Sequence, residues 1–91
     1  MKSNYAPLVL SMIVCQQPDA GGVCFKQVAL ALNPTDVRSI RPYDDSGKMR
    51  VGHAGQTWEA STVQMRDAVT YYVRGLCQDV VDAWHKALRG E

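Results

Sequence analysis

The sequence predicts an α+β fold: an antiparallel meander sheet of four or five strands with one long C-terminal helix packed on one face. Three observations lead to this fold. An apolar run lies near the N-terminus, two turn sequences place the apolar residues of consecutive strands on one side, and the last third carries an apolar stripe at helical spacing. A length of 91 residues with 46% hydrophobic content suits one small domain spanning 1–91.

The first two elements are predicted from the apolar runs at the N-terminus. Residues 7–16 are continuously apolar and rich in β-branched side chains, which is typical of a buried strand. Residues 23–32 fit either one face of a helix or a strand returning antiparallel to the first, and we favour the strand. Cys15 and Cys24 would then lie across from each other, as a disulfide or, as we prefer, as two buried thiols.

Two hairpins are predicted in the middle of the chain. The segment Asp-Asp-Ser-Gly at 44–47 suits a type I turn, and Ala54-Gly55 suits a second turn. Both registers place the apolar residues on the same side of the sheet. The predicted pairs are Ile40 with Val51, Pro42 with Met49, Arg41 with Arg50 and Tyr43 with Lys48 in the first hairpin, and Val51 with Trp58, Met49 with Ala60 and Arg50 with Glu59 in the second.

The last element is predicted to be a long helix. Ser61 and Gln64 have capping-box spacing, and an apolar stripe follows to the end of the chain. A helix over 62–88 would be about 40 Å long, whereas a domain of this length should be only about 30 Å across. Either Gly75 allows a kink or break, or the C-terminal turns overhang the sheet and contact a partner.

Catalytic and metal-binding patterns are weak in this sequence. Cys77 and His85 would lie more than two turns apart on a continuous helix, too far for a nucleophile and its base. The chain has no Cys-x₂₋₄-Cys or His-x₃₋₅-His spacing, and its Gly21-Gly22 pair belongs to no phosphate-binding motif. The sequence therefore predicts a protein that is not an enzyme and that holds no cofactor and no metal.

A basic surface is the feature with the clearest functional meaning. Ten Lys and Arg against nine Asp and Glu give a net charge of only +1. The outer face of the middle hairpin would nevertheless gather four residues, which could contact nucleic-acid phosphates or an acidic protein surface: Arg41, Tyr43, Lys48 and Arg50. Glu59, Asp44 and Asp45 could neutralise this group locally, and they favour a mixed-charge protein interface over nucleic acid.

We therefore expect a non-catalytic protein-binding module: an adaptor, regulatory protein or inhibitor, of the kind found among phage and mobile-element accessory proteins. It would bind a protein partner, and it would self-associate as a homodimer if Trp84 and Leu88 on the overhanging helix form an interface. The alternative is a nucleic-acid-binding regulator that uses the basic face of the middle hairpin.

The expected location is the cytoplasm, without membrane attachment. Three cysteines, an odd number, fit a reducing compartment. Lys2 and the apolar run after it have the outline of a signal peptide, but no small-residue cleavage site follows. The run is also too short to span a membrane.

Overall fold

A computed structural model describes residues 5–16, 24–51 and 56–91. It contains an antiparallel sheet and one C-terminal helix, so the predicted α+β class is confirmed. The sheet has six strands, one more than the upper prediction. The elements are β1 (Leu8–Gln16), β2 (Cys24–Leu32), a short 3₁₀ turn (Pro34–Asp36), β3 (Val37–Pro42), β4 (Lys48–Arg50), β5 (Thr57–Met65), β6 (Thr70–Arg74) and α1 (Cys77–Leu88).

The strand order differs from a meander. It runs β2-β1-β6-β5-β3, and β4 also pairs with β5. The last strand, β6, returns beside the first, with Met12 opposite Val73. This long-range pairing makes β2 an outer strand of the sheet instead of a neighbour of β3.

The strand interpretation of residues 23–32 is confirmed, because β2 pairs with β1 along its whole length. Their register sets Cys15 opposite Phe25 and Gln16 opposite Cys24. The two cysteines are therefore offset by one position and do not lie directly across from each other.

The predicted hairpin between β3 and β4 is wrong. Both strands instead pair with successive parts of β5. Ala60 accepts a hydrogen bond from the Tyr43 N–H and donates one to the Gly47 carbonyl, so the segment between them bulges out from the sheet edge. The Asp44 carboxylate accepts from the Ser46 and Gly47 N–H groups and closes this bulge without reversing the chain.

The predicted pairing of β4 with β5 is off by two residues. Met49 lies opposite Trp58, and Lys48, not Arg50, lies opposite Glu59. A shift of two keeps the side chains of β4 and β5 in step, so Met49 and Trp58 still share one side. The predicted common apolar side of β3 and β4 is wrong, because Ile40 lies opposite Val63 and packs in the core cluster beside α1 while Met49 packs in a second cluster. The predicted turn at Ala54-Gly55 lies outside the described residues.

The long helix is the largest error of the sequence-based prediction. Residues 62–74 belong to the strand pair β5–β6, and α1 has only 12 residues, which makes it about 18 Å long. Ser61 is no helix cap, because it is fully buried in β5 and its hydroxyl donates to the Gly75 carbonyl. Gly75, at φ +135°, separates β6 from α1, so the chain breaks there and no helical overhang exists.

The core consists of two clusters. The closed-face cluster lies between the sheet and α1 and comprises Leu8, Leu32, Val37, Val63, Met65, Val73, Val80 and Ala87. The open-face cluster comprises Ile13, Met49, Val51 and Ala60, with Phe25 and Trp58 packed against it. In the described ranges, no helix is both long and apolar enough to cross a bilayer.

Candidate binding face

Among the described residues, one face of the sheet carries no helix, and we call it the open face. Side chains alternate along a strand, and Val63 of β5 packs toward α1 in the closed-face cluster while Ala60 packs in the open-face cluster. Even-numbered residues of β5 therefore point to the open face. The register carries this assignment to β3 and β6, where Arg41 lies opposite Thr62 and Thr62 lies opposite Tyr72.

Four residues form an arrangement on this face that we call the Arg–Tyr square: Arg41 and Tyr43 of β3 with Tyr72 and Arg74 of β6. One row across the sheet runs from Arg41 through Thr62 to Tyr72. The next runs from Tyr43 through Ala60 to Arg74. Because β3 and β6 both run antiparallel to β5, the two arginines occupy one diagonal and the two tyrosines the other.

The tyrosine diagonal of the square is in contact. The rings of Tyr43 and Tyr72 lie edge to face, with centroids 5.6 Å apart and an interplanar angle of 72°. The two residues remain 38% and 44% exposed, respectively. The small residues Ala60 and Thr62 between them on β5 leave room for the rings to lean together. The pair therefore presents aromatic surface to solvent beside the core.

The arginine diagonal carries unneutralised charge. Arg41 donates a long, 3.5 Å hydrogen bond to the Gln64 side chain, and the Arg74 guanidinium lies 4.5 Å from the Trp58 ring centroid. Cation–π contact leaves the charge of Arg74 in place. Across residues 5–16, 24–51 and 56–91, the one ion pair joins Arg89 to Glu91 at the far end of the chain.

The carboxylates expected to neutralise the basic group form no ion pair with it in this part of the chain. Glu59 lies opposite Lys48 in register without bridging to it. Asp44 is committed to its own loop, where the Ser46 hydroxyl, aided by backbone N–H groups, holds the pKa of that carboxyl below its ordinary value. The open face is thus locally positive although the chain is nearly neutral.

A depression of about 270 Å³ adjoins the Arg–Tyr square. It lies where the far end of the β1–β2 pair packs over β4, since Ile13 and Phe25 share a cluster with Met49. Its lining consists of Ile13, Phe25, Tyr43, Met49, Arg50 and Tyr72. The floor is apolar, two walls are tyrosine rings, and one basic residue comes from the edge strand.

The six residues predicted from sequence are only partly brought together. Arg41 and Tyr43 belong to the square, and Arg50 lines the depression beside it. Lys48 is exposed but lies opposite Glu59, an odd-numbered residue of β5, so the register directs it away from the open face and the predicted grouping of Lys48 with Arg41 and Tyr43 is wrong. Trp84 and Leu88 lie apart from them on α1. The indole N–H of Trp84 donates to the Pro34 carbonyl at 2.8 Å, which fastens the helix to the 3₁₀ turn. Leu88 is 39% exposed.

Sequence reasoning missed Tyr72, Arg74 and Phe25 as members of the site. The stretch Thr70-Tyr71-Tyr72-Val73-Arg74 alternates in burial and is rich in residues that favour strands. That signal was present in the sequence, but the apolar stripe at helical spacing obscured it.

Other chemistry-bearing residues are dispersed. The Cys77 thiol lies 3.9 Å from the Ile40 carbonyl at the start of α1, and His85 stacks at a tilt against Trp84. The described residues contain no group of three or more His, Cys, Asp or Glu side chains that could hold a metal ion.

The fold and the site define a small α+β protein with one sheet face closed by a helix and an aromatic, basic face left open. Comparison with family models, with curated proteins and with solved structures gives no match.

Proposed function

We propose that this chain is a non-catalytic module that binds nucleic acid on its open face. Arg41 and Arg74 would contact phosphates, and Tyr43 and Tyr72 would stack on bases. The observation that carries the proposal is the Arg–Tyr square, in which exposed aromatic rings alternate with arginines that have no carboxylate partner in the described residues. A cytoplasmic location, which the cysteine count favours, is part of the proposal.

The chemistry of the square matches what nucleic acid requires. Proteins that bind single strands combine cations along the backbone with aromatic side chains on which bases stack. Arginine suits phosphate because its planar guanidinium can donate two hydrogen bonds in parallel. Asp79 and Asp82 lie on α1, and Asp67 lies in the β5–β6 turn. Glu59 is on β5 but at an odd-numbered position, which the register directs away from the open face, and the Asp44 carboxylate is bound by its own loop. This segregation supports the open face as the phosphate-binding side despite the net charge of +1.

The direct test is a fluorescence-anisotropy titration of a labelled single-stranded oligonucleotide of about 16 nucleotides. Affinity should fall as salt rises, and each lost phosphate contact should lower the logarithmic salt slope by about 0.7. The double variant R41E/R74E should bind at least about tenfold more weakly, as expected when two charge-assisted contacts are reversed. Circular dichroism and thermal melting establish that the variant is folded.

Lys86→Glu is the matched control, because it makes the same charge change per site on α1, away from the open face. It should retain nearly full affinity. A loss of affinity equal to that of Arg41→Glu would indicate binding driven by net charge alone. If the parent protein gave no change in anisotropy at low salt, the proposal would be wrong.

A protein-binding function remains a second candidate, now with a different basis. The helical overhang that suggested a homodimer is absent, but β2 is an outer strand of nine residues. Its Val28 is 39% exposed. An outer strand offers unpaired backbone groups to an added strand, including β2 of a second copy.

Light scattering after size exclusion tests this candidate. A dimer that Val28→Lys dissociates and Lys86→Glu leaves intact would favour self-association through β2. A monomer at all concentrations would exclude self-association through β2.

A further inference from the structure

The depression beside the Arg–Tyr square has the shape and chemistry of a site for one nucleobase. We infer that it takes a single unstacked base of a single-stranded nucleic acid whose neighbouring nucleotides lie on the square. This inference rests on the proposed function and adds to it the class of nucleic acid and the unit that is recognised.

The size of the depression favours one ring system. Pockets for drug-sized ligands run from about 300 to 1,000 Å³, and this one, at about 270 Å³, lies just below that range. Its floor is made by Ile13 and Met49, which are 7% and 6% exposed, respectively. A lining of buried apolar side chains and three aromatic residues, Phe25, Tyr43 and Tyr72, suits a planar heterocycle better than a branched aliphatic side chain, because aromatic rings stack on a planar ring.

The depression and the square share two residues. Tyr43 and Tyr72 line the depression and also form the tyrosine diagonal of the square. A strand held at its phosphates by Arg41 and Arg74 therefore passes the mouth of the depression. One base can turn inward there while Arg50, which also lines the depression, lies near the following phosphate.

A base can enter the depression only if it unstacks from the bases beside it. In a duplex this requires unpairing and unstacking at a cost of a few kcal/mol, whereas a single strand bears little of that cost. The one α-helix among the described residues, α1, packs in the closed-face cluster, so this part of the chain offers no helix on the open face to enter a groove. Both considerations favour a single strand as the ligand.

The test uses strands of about eight nucleotides, within the range for one small binding domain. One strand is abasic at every position, and others carry one thymine or two adjacent thymines in the same abasic backbone. The abasic backbone can shift along the open face until its single thymine lies in the depression. We expect this thymine to raise affinity about 5- to 100-fold, as expected for one well-stacked base, and the second thymine to add a further gain by stacking on the square.

Three variants test whether the affinity gained from the single thymine comes from the depression. Phe25→Leu keeps an apolar side chain and removes the ring, and it should reduce the single-thymine gain to below about threefold, as loss of a stacking surface predicts. The matched control is Tyr71→Leu, which removes a half-buried ring packed against the closed-face cluster and should keep the gain. Arg50→Gln, an exposed change that leaves the core intact, should weaken binding of both the abasic and the single-thymine strands and lower the salt slope.

The outcomes separate this inference from the proposed function. A single-thymine gain that Phe25→Leu leaves unchanged, or equal losses in Phe25→Leu and Tyr71→Leu, would overturn the base site while leaving nucleic-acid binding in place. A duplex of the same length that binds as tightly as the single strand would also overturn it. Thymidine monophosphate that binds as tightly as the strand would show a free-nucleotide site instead. Failure of every strand to bind would overturn both proposals.

Discussion

The two faces of the sheet bury apolar side chains in different ways. The closed-face cluster draws on five strands and α1, and the helix seals it with Val80 and Ala87. The open-face cluster is smaller and is covered by the end of the β1–β2 pair, where Phe25 packs beside Ile13. Tyr43 and Tyr72 lie next to it and remain more than one-third exposed.

This difference indicates where stability and function reside. Sealing an apolar surface with a helix removes it from water, and each Å² so removed contributes about 25 cal/mol. Aromatic rings that stay exposed beside a core contribute less of this stabilisation, and exposed apolar surfaces of this kind are typical of binding sites. The closed face should therefore control folding, and the open face should control binding.

The largest expected effect compares two residues of β1 that lie in opposite clusters. Leu8→Ala should lower the free energy of unfolding by about 2–5 kcal/mol, because the residue is 2% exposed in the closed-face cluster. Ile13→Ala should cost less, because Ile13 borders the depression and water can fill part of the space. Urea unfolding measures both. Equal costs would mean that the open-face cluster is packed as tightly as the closed one.

The next effect concerns the residue that leads the chain from the sheet to the helix. Gly75→Ala should destabilise the fold by about 1–3 kcal/mol, because φ +135° is strained for any residue with a Cβ. The added Cβ would meet only the Val80 side chain, at 3.5 Å, so the backbone causes the cost. Gly47→Ala, at φ +70° in the edge bulge, should cost about 1 kcal/mol. If Gly75→Ala left the free energy of unfolding unchanged, the link between β6 and α1 would tolerate another backbone conformation.

The third prediction concerns Trp84, whose expected role at a partner interface stays a prediction and whose indole N–H holds α1 to the 3₁₀ turn. Trp84→Phe removes the hydrogen bond to the Pro34 carbonyl and should lower stability by about 0.5–1.5 kcal/mol. Oligonucleotide affinity and molecular mass should stay unchanged in the folded variant. A drop in molecular mass measured by light scattering would indicate that Trp84 lies at an interface between two copies of the chain.

The predictions from sequence succeeded where the signal is local. Continuous apolar character with β-branched residues predicted β1, and length and position favoured a strand over a helix for β2. The two-residue periodicity placed Met49 and Trp58 on one side even though their register was off by two. A shift of two leaves the face pattern unchanged, so the pattern alone cannot select the register. Pairing of β1 with β6 depends on contacts between the two ends of the chain, and no local pattern encodes it.

The missed hairpin between β5 and β6 has a specific cause. Its turn needs a residue with positive φ, and that residue is Ala68, at φ +73°, instead of the glycine or asparagine that would mark such a turn in the sequence. Met65, Val69, Tyr72 and Val73 also match helical spacing by coincidence. Arg41 and Tyr43 could therefore be proposed from sequence, but Tyr72 and Arg74 could be added only once the register was known.

The smallest expected effect on stability accompanies a clear effect on binding. Tyr72→Thr keeps a residue suited to a strand and removes a ring that is 44% exposed. The free energy of unfolding should fall by no more than about 1 kcal/mol, since the main loss is the edge-to-face contact with Tyr43. Affinity for a single strand should fall about 5- to 100-fold, because one stacking surface is lost.

Val73→Ala is the matched change on the other face, one residue away and fully buried. It should lower stability by more than Tyr72→Thr does, because it leaves a cavity among closed-face side chains. The folded fraction should still bind the strand with parent affinity. If Val73→Ala weakened binding by the folded fraction as much as Tyr72→Thr does, the two faces would be coupled, and the division of stability from binding would fail.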